Sequence, residues 1–558
     1  MTSAFTFFLP SDTLSRTSMQ SDHKEPYALK EAGLWLKLSI HADAVRADPR
    51  AYLIAAWWRL CGKRLRSRSQ FAGLLGRSRR AYELWMLWHE ETVPPRSSGG
   101  AGPPIVALVD IRGTGQVALA ESLLSLSNEG IMALPVGAAD IPTLTHAARQ
   151  IDWTIGPWLM PIAAGDTVAR GTAQAYRNSI AGTNACLAYA DDDLLDQSGR
   201  RTTPHFKPDW NSEMFRHFDY LTGACILQVT QEELQSGVGA ADWLRQLVAL
   251  RAGEARPLHV RKVLHHRRTR PVPHIPAAGA VSTANLPPVS IIVPTRNRVD
   301  LLRTCLNGIA ATNYPDTEVI VVDNDSDDPE TLDYLASLDP ARYRVLRHAG
   351  AFNYSAINNR AVELARGQLL CLLNNDIEVI QANWLAIMAT QAMRDNVGAV
   401  GAQLLYPDGR IQHAGVVLGM GNAAGHAHRL LRPDEEGYFR RHALPQFTSA
   451  VTAACLVVQR ERFLAVGGLN EREFAVAFND VDLCLRLNAF GWQSLYEPRA
   501  TLIHHESVSR GLDRDPVGAK RFAGELAALK QRWKTEERID RYHHPELSRV
   551  SERFVTRL

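Results

Sequence analysis

Residues able to do chemistry gather at the ends of apolar runs. Leu369–Asp376 reads LLCLLNND, four leucines and a cysteine followed by two amides and a carboxylate. The apolar part is short enough for a strand buried on both faces, as in a parallel sheet covered by helices. Polar groups at the carboxyl end of such a strand sit where open α/β sheets bind ligands. Asn374, Asn375 and Asp376 on their own also suit a turn. Two more runs repeat the arrangement: VSIIV before PTRN at 289–297, and EVIVV before DNDSD at 318–327. Three such clusters at one edge of one sheet can build a single site. A further acidic run, Asp191-Asp192-Asp193, follows an apolar stretch at 185–190. It suits either a cation or a solvated loop, since only some of three consecutive acids can face one ion.

The elements that must position these clusters alternate. A strand at 289–293 leads through Pro294, Thr295, Arg296 and Asn297, read as a turn, into a helix at 300–311. Leu301, Leu302, Leu306 and Ile309 keep helical spacing there. Strands at 318–322, 343–346 and 369–373 alternate with helices at 331–338 and 354–365, the latter closed by Gly367. Such alternation predicts a mostly parallel sheet with right-handed crossovers. An earlier set repeats it, with strands at 105–110, 130–135 and 185–190, a helix at 117–129 and a strand ending near 161. The expected fold class is α/β, with two sheet domains and a helical N-terminal region. The expected boundaries are a basic helical region and linker over 1–103, a first α/β domain over 104–255 and an Arg-, His- and Pro-rich linker over 256–288. A second α/β domain over 289–512 and a helical tail over 513–558 complete the chain.

Bulk properties narrow the class. The 558 residues are 46% hydrophobic and 22% charged with net charge +3, an ordinary globular composition. The seven cysteines form no CxxC pair, which argues for a reducing compartment and a cytoplasmic location. No apolar run is long enough to span a bilayer, and no signal peptide is expected at the N-terminus. Residues 1–26 are polar and mixed and are expected to be poorly ordered. Trp57 and Trp58 stand beside eight Arg or Lys between Arg59 and Arg80. That patch could rest on the inner face of an anionic membrane, or it could pack its aromatics inward and leave a solvated basic face. No nucleic-acid partner is expected.

VSIIVPTRNR, EVIVVDNDSDD, ARGQLLCLLNND and FNDVDLCLR together resemble glycosyltransferase family 2, with its GT-A fold, over residues 289–512. LLNND, TAACLVVQRERFLAVGGLNE and HHESVSRG are similar to bacterial transferases of surface polysaccharides, including rhamnosyltransferases. AYADDDLLDQSGRRTTPHFKPDWNSEMF in the first domain resembles a duplicated copy, and Asp191 and Asp193 keep a DxD spacing. That domain has no counterpart of PTRN, DNDSD or FNDVD, so it reads as degenerate.

The resemblance implies an inverting transfer of sugar from a nucleotide-diphosphate donor to a hydroxyl of a growing surface glycan or a lipid-linked acceptor. Pro294, Thr295 and Asn297 would lie beneath the nucleoside, and Asp323 would accept a hydrogen bond from the base, although a turn or helix-cap role also suits it. Asn353 and Asn358 would lie near the donor, with Arg often standing at the latter position in related sequences. Asp376 would bind donor and a divalent metal, Mn²⁺ or Mg²⁺, with Asn374 replacing the other usual acid. His504 would be a second ligand, favouring Mn²⁺, or a structural histidine. Asp480 matches the position of the base that takes the acceptor's proton. Its place at a helix N-terminus also fits a cap, and predicts a lowered pKa. The chief alternative is a non-catalytic scaffold of polysaccharide assembly, against which the intact motifs argue. A nucleotidyltransferase would be expected to carry a Gly-rich phosphate loop that PTRNR lacks.

Overall fold

The computed structural model describes residues 27–90, 102–112, 115–236, 242–254, 256–279, 281–505 and 516–558. Residues 1–26, most of the linker after Ser97 and the ESVSRG segment after His505 lie outside the described residues. The chain packs into two compact units. One holds the described residues up to Phe206, with Leu221–Arg270 and Glu546–Leu558; the other holds Lys207–Tyr220 and Pro271–Pro545.

The first unit opens with four helices, α1 (Tyr27–Ala47), α2 (Pro49–Leu60), α3 (Arg64–Leu75) and α4 (Arg79–His89). Asp48 starts α2 by accepting from Ala51 N at 2.9 Å, and Pro49 at the first position needs no partner for the N–H it lacks. Tyr82, Leu84 and Trp85 of α4 are buried. The sheet that follows has eight strands: β1 (Ile105–Asp110), β2 (Met132–Val136), β3 (Trp158–Ala163), β4 (Thr167–Val168), β5 (Leu187–Leu195), β6 (Arg201–His205), β7 (Cys225–Leu227) and β8 (Leu258–Arg267). Its order is β2-β1-β3-β7-β5-β8-β4, with β6 beside β5. β1 pairs in parallel with β2 and β3, and β5 with β8.

Two expectations change here. The acids at 191–193 do not follow a strand; they lie inside β5 and are buried. The stretch over 256–288 is not linker throughout, since its first part forms β8, in register with β5 at Tyr189↔His259. Arg and His disguised that strand, because their partners are acids on β5 rather than water.

The second unit is built on ten strands. β9 (Val289–Thr295), β10 (Thr317–Asp323), β11 (Tyr343–Arg347) and β12 (Leu369–Leu373) lie parallel in the order β11-β10-β9-β12. Beyond β12 the sheet is mixed. It continues through β19 (Cys455–Gln459), antiparallel to β12, then β14 (Val397–Leu405), β20 (Gln493–His504) and β13 (Ile377–Val379). β15 (Ile411–His413) pairs with β14 and β18 (Gln446–Thr448) with β20, while β16 (Val416–Leu418) and β17 (Ala424–His426) form a separate ribbon. α5 (Val299–Ala310) buries Leu302, Cys305, Leu306 and Ile309, the face its spacing marks, in one core with Val289, Ile291 and Val293. Removing such a side chain, as in Leu306→Ala, is worth about 2–5 kcal/mol.

α6 (Tyr354–Val362) ends before Gly367, which is not its stop signal. A Cβ on Gly367 would meet Ser290 N at 2.4 Å, and the Gly367 amide donates to Ser290 Oγ at 2.8 Å. The glycine lets the chain enter β12 hard against β9. α7 (Asn479–Ala489) and α8 (Pro516–Trp533) complete the frame, so the tail over 513–558 is helical only to Trp533. Beyond it, Tyr542 joins the core of the second unit and Asp540 accepts from Leu418 N at 2.7 Å.

Candidate active site

The three strand-end clusters do meet. Pro294 and Thr295 are the last residues of β9 rather than part of the turn. Asn375 Nδ2 donates to Thr295 Oγ1 at 3.0 Å, and Asn324 N donates to Thr295 O at 2.8 Å. Asn297, at φ 53°, stitches the first two clusters together. Its Oδ1 accepts from the amides of Asp327 and Asp328 at 3.0 and 3.1 Å, and its Nδ2 donates to Asp327 Oδ1 at 2.8 Å. Asn297 therefore builds the wall of the site with its whole amide. Asp323 is buried at the end of β10, and its Oδ1 accepts from Ser326 N at 3.0 Å, the turn bond its residue type allows. Among the described residues its Oδ2 makes no hydrogen bond, so one acceptor remains for a ligand.

Asp376 and His504, far apart in sequence, are joined by the sheet. β13 pairs antiparallel with β20 in the register Ile377↔His504, and Asp376 Oδ1 comes 3.0 Å from His504 Nε2. On the other side of the ring, His504 Nδ1 lies 2.7 Å from Gln412 Oε1. The Gln412 contact orients the ring and leaves Nε2 turned toward the carboxylate. A carboxylate and an oriented imidazole are ligand types that a divalent ion accepts. Asn374 adds its amide 3.5 Å from His504 Nε2. Arg298, Asp300, Thr304, Asp376, Glu378 and His505 line an open cleft beside this pair. Arg298 is ion-paired with Asp300 at 2.6 Å, and His505 with Glu378 at 2.9 Å.

Asp480 stands in the first turn of α7. Its Oδ1 accepts from Val481 N at 2.8 Å, and its Oδ2 from Ala453 N at 3.1 Å. The same loop holds the metal-side turn, since Asn374 N donates to Ala454 O at 3.0 Å, and Tyr354 OH donates to Ala453 O at 2.9 Å. Two consecutive loop residues, Ala453 and Ala454, thus link the candidate base to the candidate metal turn. The lowered pKa expected for Asp480 is not found. Burial pushes the carboxyl up, and the amide hydrogens of Ala453 and Val481 only partly offset it. Asp482 of the same motif is structural. It is fully buried and accepts from Arg486 Nε at 2.8 Å and Trp533 Nε1 at 2.9 Å, which ties α8 to α7. Glu525 of α8 accepts from Val476 N at 2.8 Å and Ala477 N at 3.2 Å, fixing the approach to the motif.

The asparagines at the start of α6 and within it make local bonds. Asn353 caps the helix through Ala356 N at 3.0 Å and donates to Glu471 O at 3.1 Å. Asn358 is buried and donates to Tyr354 O at 2.8 Å. Both side chains are engaged with their own helix and its neighbouring loop. Tyr354 is the α6 residue that reaches the Asp480 loop. Tyr354 and Gln412 were missed in the sequence because neither belongs to a recognisable cluster; no local signal marks a residue whose partner is ninety positions away.

In the first unit the DxD-spaced acids carry counterions. Asp193 accepts from Tyr82 OH and Arg201 Nε, each at 2.6 Å, and faces His266 Nδ1 at 2.8 Å. Asp192 is paired with Arg270, and Asp191 with His259 at 3.0 Å. A solvated loop does not describe them, since all three are buried within β5. Burial also lifts the nearby Asp166 carboxyl to about 6.

Residues 290–455 match the family model described as glycosyl transferase family 2. An uncharacterized protein of Sinorhizobium fredii is 40% identical over 419 residues, 67% of this chain and 46% of that protein. The O-antigen biosynthesis protein RfbC of Myxococcus xanthus is 35% identical over 400 residues, 64% of this chain and 31% of its own length. The chain spans less than half the length of these two curated relatives. A shorter match, 45% identical over 67 residues, links 12% of this chain to 21% of an N-acetylglucosaminyl-diphospho-decaprenol L-rhamnosyltransferase of Mycobacterium tuberculosis. The matched span takes in the site's residues from Thr295 to Ala454 and stops short of Asp480 and His504, and it is this stretch of the second α/β unit that is similar to glycosyltransferase family 2.

Proposed function

We propose that the second unit moves a sugar from a nucleotide-diphosphate donor to a hydroxyl of a bacterial surface glycan or its lipid-linked precursor, with inversion at the anomeric carbon. The observation that carries this reading is the loop at 452–454, which binds the Asp480 carboxylate through Ala453 N and the Asn374 turn through Ala454 O. A proton acceptor and a cation-binding carboxylate are thereby held on one rigid segment. Asp480 takes the proton of the attacking hydroxyl, and its raised pKa makes it a stronger base than a surface carboxylate. Asp323 offers its second oxygen to a base N–H, and Thr295 and Asn297 shape the floor beneath the nucleoside. Asp376 and His504 would hold Mn²⁺ or Mg²⁺, which supplies charge for a departing diphosphate. Arg298, in the cleft beside Asp376, adds positive charge on the same side. The relatives named for O-antigen and rhamnosyl transfer support a polysaccharide acceptor.

The test is to offer a panel of nucleotide sugars with lipid-linked and soluble acceptors and to follow products by mass spectrometry, reading the anomeric configuration by NMR. Sugar-bearing product with inverted configuration, absent with Asp480→Asn, is the expected result. Retained configuration, or no product from any donor, would overturn the reading.

A further inference from the structure

The helical layer of the first unit turns apolar side chains outward. On α2, Leu53, Ile54, Trp57 and Leu60 recur at i, i+1, i+4 and i+7, one stripe of a helix. They are 67, 38, 64 and 82% exposed. The opposite side is also apolar: Ala55 is buried, and its carbonyl accepts from Ser67 Oγ of α3 at 2.8 Å. A helix apolar all round is normally enclosed, and an exposed contiguous apolar patch marks a contact with something else. α1 carries a second outward stripe of Leu34, Trp35 and Leu38.

Charge identifies the occupant. Residues 49–80 contain nine Arg or Lys and no Asp or Glu, in a chain whose net charge is +3. Arg50 precedes the stripe by one turn. Lys63 and Arg64 follow Leu60, and Leu65 and Arg68 share the outward face of α3; all five are exposed. A second copy of this layer would bring like charge against like. Nucleic acid would answer the charge but leave the Leu and Ile ladder in water. An anionic lipid surface answers both, with acyl chains for the stripe, headgroups for the Arg and Lys, and the interface for Trp. Among the described residues no helix is long and apolar enough to cross a membrane, so the contact would lie in the plane of the interface.

We propose that α2 and the α2–α3 turn are a docking surface for an anionic membrane leaflet. The apolar stripe enters the headgroup boundary while the flanking Arg and Lys hold lipid phosphates. This does not depend on the transfer chemistry, and the test keeps the two apart.

The full chain is floated with vesicles of phosphatidylcholine alone and of phosphatidylcholine mixed with phosphatidylglycerol. Binding is expected to the mixed vesicles and to weaken with salt. Lys63→Glu with Arg64→Glu should lower partitioning by at least about 30-fold, from the usual contribution of a basic side chain at such a surface. Trp57→Ser with Leu60→Ser should lower it by about 100-fold, from lost apolar burial. Because these side chains are exposed, thermal unfolding and transfer to a soluble acceptor should stay at wild-type level in both variants. The proposal is overturned by failure of the wild-type chain to float with mixed vesicles, by equal flotation with neutral ones or by unchanged flotation of the Trp57 and Leu60 variant. It is overturned equally by self-association that the same variant abolishes, or by duplex RNA competing fully for the surface.

Discussion

Each unit carries a polar cluster with DxD-like placement after an apolar run of sequence, and the two clusters have different fates. In the first unit the strand does not stop. β5 continues through Asp191, Asp192 and Asp193; Arg270 pairs with Asp192 and Arg201 with Asp193, while His259 and His266 face Asp191 and Asp193. In the second unit β12 stops at Leu373, and the acid beyond it, Asp376, comes 3.0 Å from His504 Nε2. DxD spacing is shared by structural and metal-binding carboxylates. What separates them in the fold is where the strand ends: Asp192 and Asp193 lie inside β5 against arginines, whereas Asp376 lies beyond the end of β12 beside His504. A buried carboxylate needs a partner, and the fold chooses it.

The sharpest way to break this comparison is to remove one acid from each unit. Asp480→Asn should lower transfer by about 10²–10⁴-fold, the usual worth of a general base, while nucleotide-sugar binding by calorimetry stays near wild type. Turnover above about a tenth of wild type would show that Asp480 is not the base. Asp193→Ala should do the reverse. It strips Arg201 and Tyr82 of a buried acceptor and should cost about 3–5 kcal/mol in the urea unfolding of the first unit, with transfer per folded molecule retained. If replacing all three acids at 191–193 by Ala removed a second, distinct transferase activity, the degenerate reading of that unit would fail.

A smaller effect sharpens the metal side. Gln412→Ala frees the His504 ring to rotate and change tautomer, so Mn²⁺ affinity measured with nucleoside diphosphate present should fall about 10–100-fold. Without the diphosphate, one carboxylate and one imidazole should bind the ion weakly, and His504→Ala should narrow any preference for Mn²⁺ over Mg²⁺. Submicromolar Mn²⁺ binding to the free protein, or full activity in excess chelator, would contradict this account. The smallest expected effect is on pH. Burial raises the Asp480 pKa, and transfer needs the ionised form, so kcat/KM should rise with pH through a value above the ordinary carboxylate range near about 3.9. An acid limb at or below that value would assign the base elsewhere.

Local features were legible in the chain. The apolar runs before PTRN, DNDSD and NND predict strands, because a run of Val, Ile and Leu that short is buried on both sides. The spacing of Leu302, Leu306 and Ile309 marks the face of α5 that packs. The family-bearing motifs sit in local sequence, and so does the candidate base Asp480. The tertiary structure decided what these residues face. Only β13 against β20 brings Asp376 to His504, and β15, paired with β14, sets Gln412 behind the ring. Only burial turned the Asp480 pKa upward, against the pull of its helix terminus. Asn297 and Asn353 look like ligand amides in the sequence, yet the fold engages their side chains in loop and cap bonds. The 258–267 stretch reads as linker by composition and is a strand because β5 offers its histidines acids. Residue type and spacing say which chemistry a side chain can do. Its charge state and free lone pairs depend on partners ten to two hundred positions away, and the folded chain chooses those.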